Sequence, residues 1–171
     1  MLLLSMMWIY GKAQSPAEQH NRERSARLKS LIDSRQYRFV AHSAATHVGK
    51  VDLGPGSELK LMKDNLHVDL PYYGRANSSY FQDPTDMSVR INTNNFSYTA
   101  DSAKKGGWDI TLRPKKDGIV YNIVLSVSTD GYCKVKITSS IQDPITYYGI
   151  LSDLNPQFIQ VSPAEVSPAP K

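Results

Sequence analysis

The amino-acid sequence predicts a mainly β domain: one N-terminal helix, then an antiparallel meander of about eight or nine short strands. Two observations predict it. Apolar residues recur at helical spacing only ahead of residue 36, and from Tyr37 onward the repeat shortens to two. The alternating runs are also short, and Gly, Pro, Asn and Asp punctuate them as turns. A sheet of that many strands curls, and closing it removes exposed edges, so a barrel or half-barrel is expected. A two-sheet sandwich is the alternative.

The chain begins with an apolar run, Met1 to Tyr10, leading into Gly11-Lys12-Ala13, small residues at the −3 and −1 places of a signal-peptidase site. Crossing a bilayer takes ~20 apolar residues, so the run is too short for an anchor. Residues 1–14 are therefore expected to be an export signal. No charge precedes Lys12, so a true start upstream of Met1 stays open. Ser15-Pro16-Ala17-Glu18 then matches a capping box with proline at the first helical position. An amphipathic helix is expected over 15–35. Leu28, Leu31 and Ile32 form its apolar stripe, and the first turns stand clear of the core.

The strands follow in order. Tyr37, Phe39 and Ala41 alternate with polar neighbours, as do Leu59 and Leu61, then Leu66, Val68 and Leu70, with Lys63-Asp64-Asn65 turning one run into the next. Val89 and Ile91, Phe96 and Tyr98, and Trp108, Ile110 and Leu112 continue the pattern. Residues 119–128 are apolar on both faces and predict one central strand. Thr129-Asp130-Gly131 turns it into 132–139, and Asp143-Pro144 turns that into 145–150. Trp108, Ile110, Leu125, Val127, Val135 and Ile137 are expected to face inside together. The resulting shape is a lipocalin-like up-and-down barrel or half-barrel with the helix on its open side or end. The domain spans 15–154, and the Pro-rich tail 155–171 is expected to be disordered.

Composition excludes several function classes. The net charge of +4 is small and dispersed, without the clustered basic and aromatic residues of a nucleic-acid surface. Cys133 is the single cysteine, so no internal disulfide forms, and no cysteine follows the signal to carry a lipid. Its alternation with Val135 and Ile137 makes it a small buried apolar residue. The histidines lack zinc spacing, Asp83-Pro84-Thr85-Asp86 lacks the glycine and terminal glutamate of a calcium loop, and no nucleophile elbow occurs. No metal or other cofactor is expected. The protein is read as soluble, in the periplasm or outside the cell.

Three stretches depart from simple alternation: Leu70-Pro71-Tyr72-Tyr73-Gly74-Arg75-Ala76, Lys104-Lys105-Gly106-Gly107-Trp108-Asp109 and Ile145-Thr146-Tyr147-Tyr148-Gly149. Tyrosine and tryptophan carry an apolar body and a polar tip, which suits a barrel mouth that grips a ligand. Tyr73, Arg75, Trp108 and Tyr148 are therefore the candidate binding residues, with a small hydrophobic ligand or an envelope protein as partner. In the competing reading the tyrosines plug the barrel end, with Arg75 stacked beside them and Gly74 and Gly149 allowing positive φ or close backbone approach. The function expected is a non-catalytic exported binding or structural module. The alternative is an enzyme with a barrel-mouth active site lined by the same four residues.

These stretches, with Tyr37-Arg38-Phe39-Val40-Ala41, resemble in order and spacing a family of exported proteins from Bacteroides-like bacteria, catalogued as domain of unknown function 4251. The resemblance covers about residues 20–151. It implies a β-barrel-like fold and an envelope location, and it brings no activity or catalytic residue.

Overall fold

A computed structural model describes residues 15–46, 49–75, 88–104 and 106–155. The predicted export signal, the turn Asp83–Asp86, His47 and the tail beyond Asn155 lie outside them. The helix α1 (Pro16–Ser34) starts as its sequence dictates: the Ser15 hydroxyl accepts from the Glu18 N–H, and the Glu18 carboxylate accepts from the Ser15 N–H. It ends at Arg35, whose left-handed backbone (φ 54°) lets its N–H bond back to the Ile32 carbonyl.

Among the described residues eleven strands follow: β1 (Gln36–Thr46), β2 (Gly49–Asp52), β3 (Glu58–Met62), β4 (Asn65–Leu70), β5 (Val89–Thr93), β6 (Phe96–Ser102), β7 (Trp108–Lys116), β8 (Ile119–Val120), β9 (Asn122–Val127), β10 (Tyr132–Thr138) and β11 (Ile145–Ser152). They form a single antiparallel sheet, not a sandwich, in the order β5-β4-β3-β1-β11-β10-β9-β7-β6. β2 adds to the far half of β1, and β8 to the end of β7. β5 and β6 stand at opposite ends of this path, yet only Asn94 and Asn95 join them. So short a link forces the two ends of the sheet toward each other. Lys116 at the end of β7 donates to the Arg90 carbonyl of β5 across the closure. The result is a half-barrel.

The expected central strand 119–128 is interrupted at Tyr121. Tyr121 stands opposite Pro114 of β7 and donates its N–H to the Pro114 carbonyl, but proline has no N–H to return. One rung of the ladder is missing there, and the run divides into β8 and β9.

Alternation fills the concave face with Tyr37, Phe39, Leu59, Leu61, Val68, Ile110, Leu125, Val135, Ile137 and Tyr147, all fully buried. Val127 is buried with them, and Trp108 packs half-buried at their edge. Leu28 and Ile32 seat α1 against this face near the β9–β10 turn and the end of β11. Each buried aliphatic side chain of this kind stabilises the docking by ~1.5–3 kcal/mol. Arg27 pairs with Asp153 beside them, while the first turns of α1 are exposed as the stripe predicts.

Candidate functional site

The β10–β11 end of the half-barrel is closed by tyrosines. Tyr72 continues the inward register of Leu66, Val68 and Leu70, and its hydroxyl donates to the carbonyls of Arg75 (2.6 Å) and Asp143 (3.1 Å). Tyr147 continues the register of Ile145, and its hydroxyl donates to the Pro71 carbonyl (3.0 Å). The Asp143 N–H returns a bond to the Arg75 carbonyl, tying the two segments together. Burial raises the pKa of both phenols, so they remain neutral donors. The plug expected from the two Tyr-Tyr-Gly stretches therefore exists, but the first tyrosine of each pair builds it.

Tyr73 and Tyr148, second in each pair, point the other way and are 41% and 45% exposed. Arg75 contributes its backbone carbonyl to the plug while its side chain stays in solvent. The arginine that stacks on a tyrosine is Arg35, 4.6 Å from the Tyr98 ring. Parity with the preceding strand residues was the signal that separates the members of each pair. Gly74 and Gly149 both lack positive φ, and close approach explains both. A Cβ on Gly149 would collide with the Val40 carbonyl, and one on Gly74 with the Tyr72 hydroxyl.

The structure brings two of the four candidate residues together. Trp108 and Tyr148 both border one groove of about 350 Å³ over β7, β9 and β10, but from different faces. Tyr148 stands in the outer row with Asp109, Ser126, Tyr132 and Lys134. Trp108, in register with Val127, reaches the groove from the edge of the inner face, where it also lies beside Arg22, Ala26 and Lys29 of α1. The register aligns the outer row: Tyr148 lies opposite Lys134, Lys134 opposite Ser126, and Ser126 opposite Asp109. Gly107 shapes the edge of the groove. Its φ is +85°, and a side chain there would strike the Val127 carbonyl, so only glycine lets the β6–β7 turn lay Trp108 against β9. Tyr132 is the most exposed large apolar residue described, at 66%, and sequence alternation had marked it only as the start of a strand. Cys133 borders the groove but is buried, and burial raises its thiol pKa, so it stays a protonated, inert thiol. Tyr73 and Arg75 lie apart, at the plugged end, where Arg75 borders a shallow polar hollow formed with residues 139–144.

A larger groove, about 610 Å³, runs between α1 and the end of β11. Leu28, Leu31 and Leu151 form its floor and the Arg27–Asp153 pair lies in its wall, so it is the seam of helix docking. Among the described residues no three of His, Cys, Asp and Glu come together as a metal site would need. No helix among them is long and apolar enough to cross a membrane.

A model of the family described as "Domain of unknown function (DUF4251)" matches residues 19–151. Among solved structures, the chain is similar to the crystal structure of a DUF4251 family protein from Bacteroides eggerthii DSM 20697, with a TM-score of 0.63 and 15% identity. The similarity covers 81% of this chain and 93% of that one, and at such identity it concerns the fold alone. No curated protein matches the chain.

Proposed function

Because this chain belongs to the DUF4251 family, a family without an assigned activity, we propose that it is an exported, non-catalytic module that binds through its outer surface, in the groove between Trp108 and Tyr148. One observation supports this most directly. The concave face is packed with its own side chains, and the Tyr72 and Tyr147 hydroxyls at its end are bonded to backbone carbonyls. A barrel-mouth ligand would have to break those bonds. The outer groove already presents two tyrosines, Tyr132 and Tyr148, beside a lysine, an aspartate and a serine, with Trp108 at its inner edge. Aromatic rings with polar tips provide contact area at little conformational cost, and they suit a small apolar or aromatic ligand or a partner's surface. Tyr73 and Arg75 take no part in that groove. The apolar start of the chain supports a periplasmic or extracellular location.

The test uses the processed chain. The sequence has two tryptophans, Trp8 and Trp108, so a chain beginning at Ser15 reports on the groove alone. Material from the periplasm should carry a co-purifying ligand in native mass spectrometry, and its removal should shift Trp108 fluorescence. Tyr148→Ala should abolish retention while Tyr73→Ala preserves it. Equal retention by both variants would refute the groove.

A further inference from the structure

β6 is a sheet edge with none of the usual protection. Its seven residues, Phe96-Ser97-Tyr98-Thr99-Ala100-Asp101-Ser102, contain one charge and no proline, and they favour strand. Soluble proteins blunt such edges with lysines, prolines, bulges or brevity. β2 and β8 are short, and β5 abuts β7 through the Lys116–Arg90 bond. Among the described residues β6 pairs with β7 alone, and from Ser97 onward only Tyr98 of β6 is not exposed. It is also held ready: the Tyr98 hydroxyl donates to the Ile32 carbonyl of α1.

The register identifies which backbone groups face outward. Lys115 donates to the Asn95 carbonyl and Ala103 to the Gly107 carbonyl, one rung beyond each end of the β6–β7 ladder. Hydrogen-bonded pairs alternate, so Ser97, Thr99 and Asp101 bond to β7. The N–H and C=O groups of Phe96, Tyr98, Ala100 and Ser102 therefore point to the open edge.

We propose that this edge pairs with β6 of a second copy of the chain, antiparallel about a two-fold axis at Thr99. This register makes Tyr98 face Ala100 of the other copy and Phe96 face Ser102, large side chains against small. Thr99 meets its own equivalent, a favourable cross-strand pair. Charge agrees with the same arrangement. Within the chain Asp101 stands opposite Asp109, a like-charge pair, whereas Arg113 stands opposite Ser97 and is exposed. Self-pairing sets Asp101 of one copy across Ser97 from Arg113 of the other, at the ~4.8 Å strand spacing on each side of the small serine. The acids gain a cation twice per dimer, and no two like charges meet across the axis.

Light scattering of the purified protein should show a molar mass that doubles with increasing concentration. The Ala100 N–H faces the open edge, so Ala100→Pro removes a dimer bond while sparing the β7 ladder. That variant should stay monomeric, melting as the parent does at dilutions where the parent is also monomeric. Thr99→Cys places two thiols in a non-hydrogen-bonded antiparallel pair, whose spacing a disulfide can bridge. Mild oxidation should give a covalent dimer, and Ser97→Cys should not. A monomer at every concentration with no Thr99→Cys crosslink overturns the proposal. So does a dimer that persists in Ala100→Pro, or crosslinking that is as fast for Ser97→Cys.

Discussion

Gly149 shows how tightly single residues are set in this sheet. It lies in β11 opposite Ala41 of β1 and Cys133 of β10, and the backbone on the β1 side leaves no room for a Cβ. The cause is adjacent: the register between β1 and β11 shifts at Ala41/Ser43, so His42 bulges and turns the Val40 and Ala41 backbone onto the glycine. Overpacking against backbone cannot be relieved by a rotamer change. Gly149→Ala should cost ~1–3 kcal/mol or more, read as a lower urea midpoint at unchanged slope. A neutral result would mean that the bulge relaxes freely.

At the scale of elements, the plug joins the 71–75 segment to β11 and the β10–β11 turn through two phenols. Removing a hydroxyl while keeping the ring isolates the hydrogen bond. Tyr72→Phe and Tyr147→Phe should each lose ~0.5–1.5 kcal/mol, whereas Tyr73→Phe, at an exposed position, should stay within ~0.5 kcal/mol of the parent. Equal losses at Tyr72 and Tyr73 would place the plug on the wrong residues. The helix behaves similarly. Its start was legible because capping needs only Ser15 and Glu18 in one turn, and its docking because Leu28 and Ile32 share a stripe. Its partners on β6, the Tyr98 ring under Arg35 and the Tyr98 hydroxyl on Ile32, were not legible, because nothing local links residues 66 apart.

Across the whole molecule, the buried ionisable side chains with raised pKa among the described residues are tyrosine phenols and the Cys133 thiol. Burial is the main cause that raises the pKa of Tyr37, Tyr98, Tyr121 and Tyr147 above the ordinary tyrosine value. The sign follows from linkage. Below ~10, the unfolded tyrosine pKa, both states hold their protons and these groups contribute their full stability. Above it the unfolded chain ionises first, so stability should fall as pH rises through the alkaline range. Tyrosinate absorbance of these groups should then appear together with loss of fold in an alkaline titration. Complete tyrosine ionisation near pH ~10 with the sheet intact would contradict the burial.

The helix with its cap, most strand runs, their turns and the inward-facing set from Ile110 to Ile137 were legible in the residues alone, because each follows from a period or a turn within a few residues. β2 and the division of 119–128 were not. The tertiary structure alone decided that the two sheet ends meet at Asn94–Asn95 and that Pro114 interrupts the strand opposite it. It also decided that Trp108 and Tyr148 share a groove while Tyr73 and Arg75 lie at the other end. The plug contacts span 71 and 76 residues of chain. Contacts at such separations depend on strand order and on the curl of the whole sheet, and alternation along one strand specifies a face without specifying which distant strand will lie beside it.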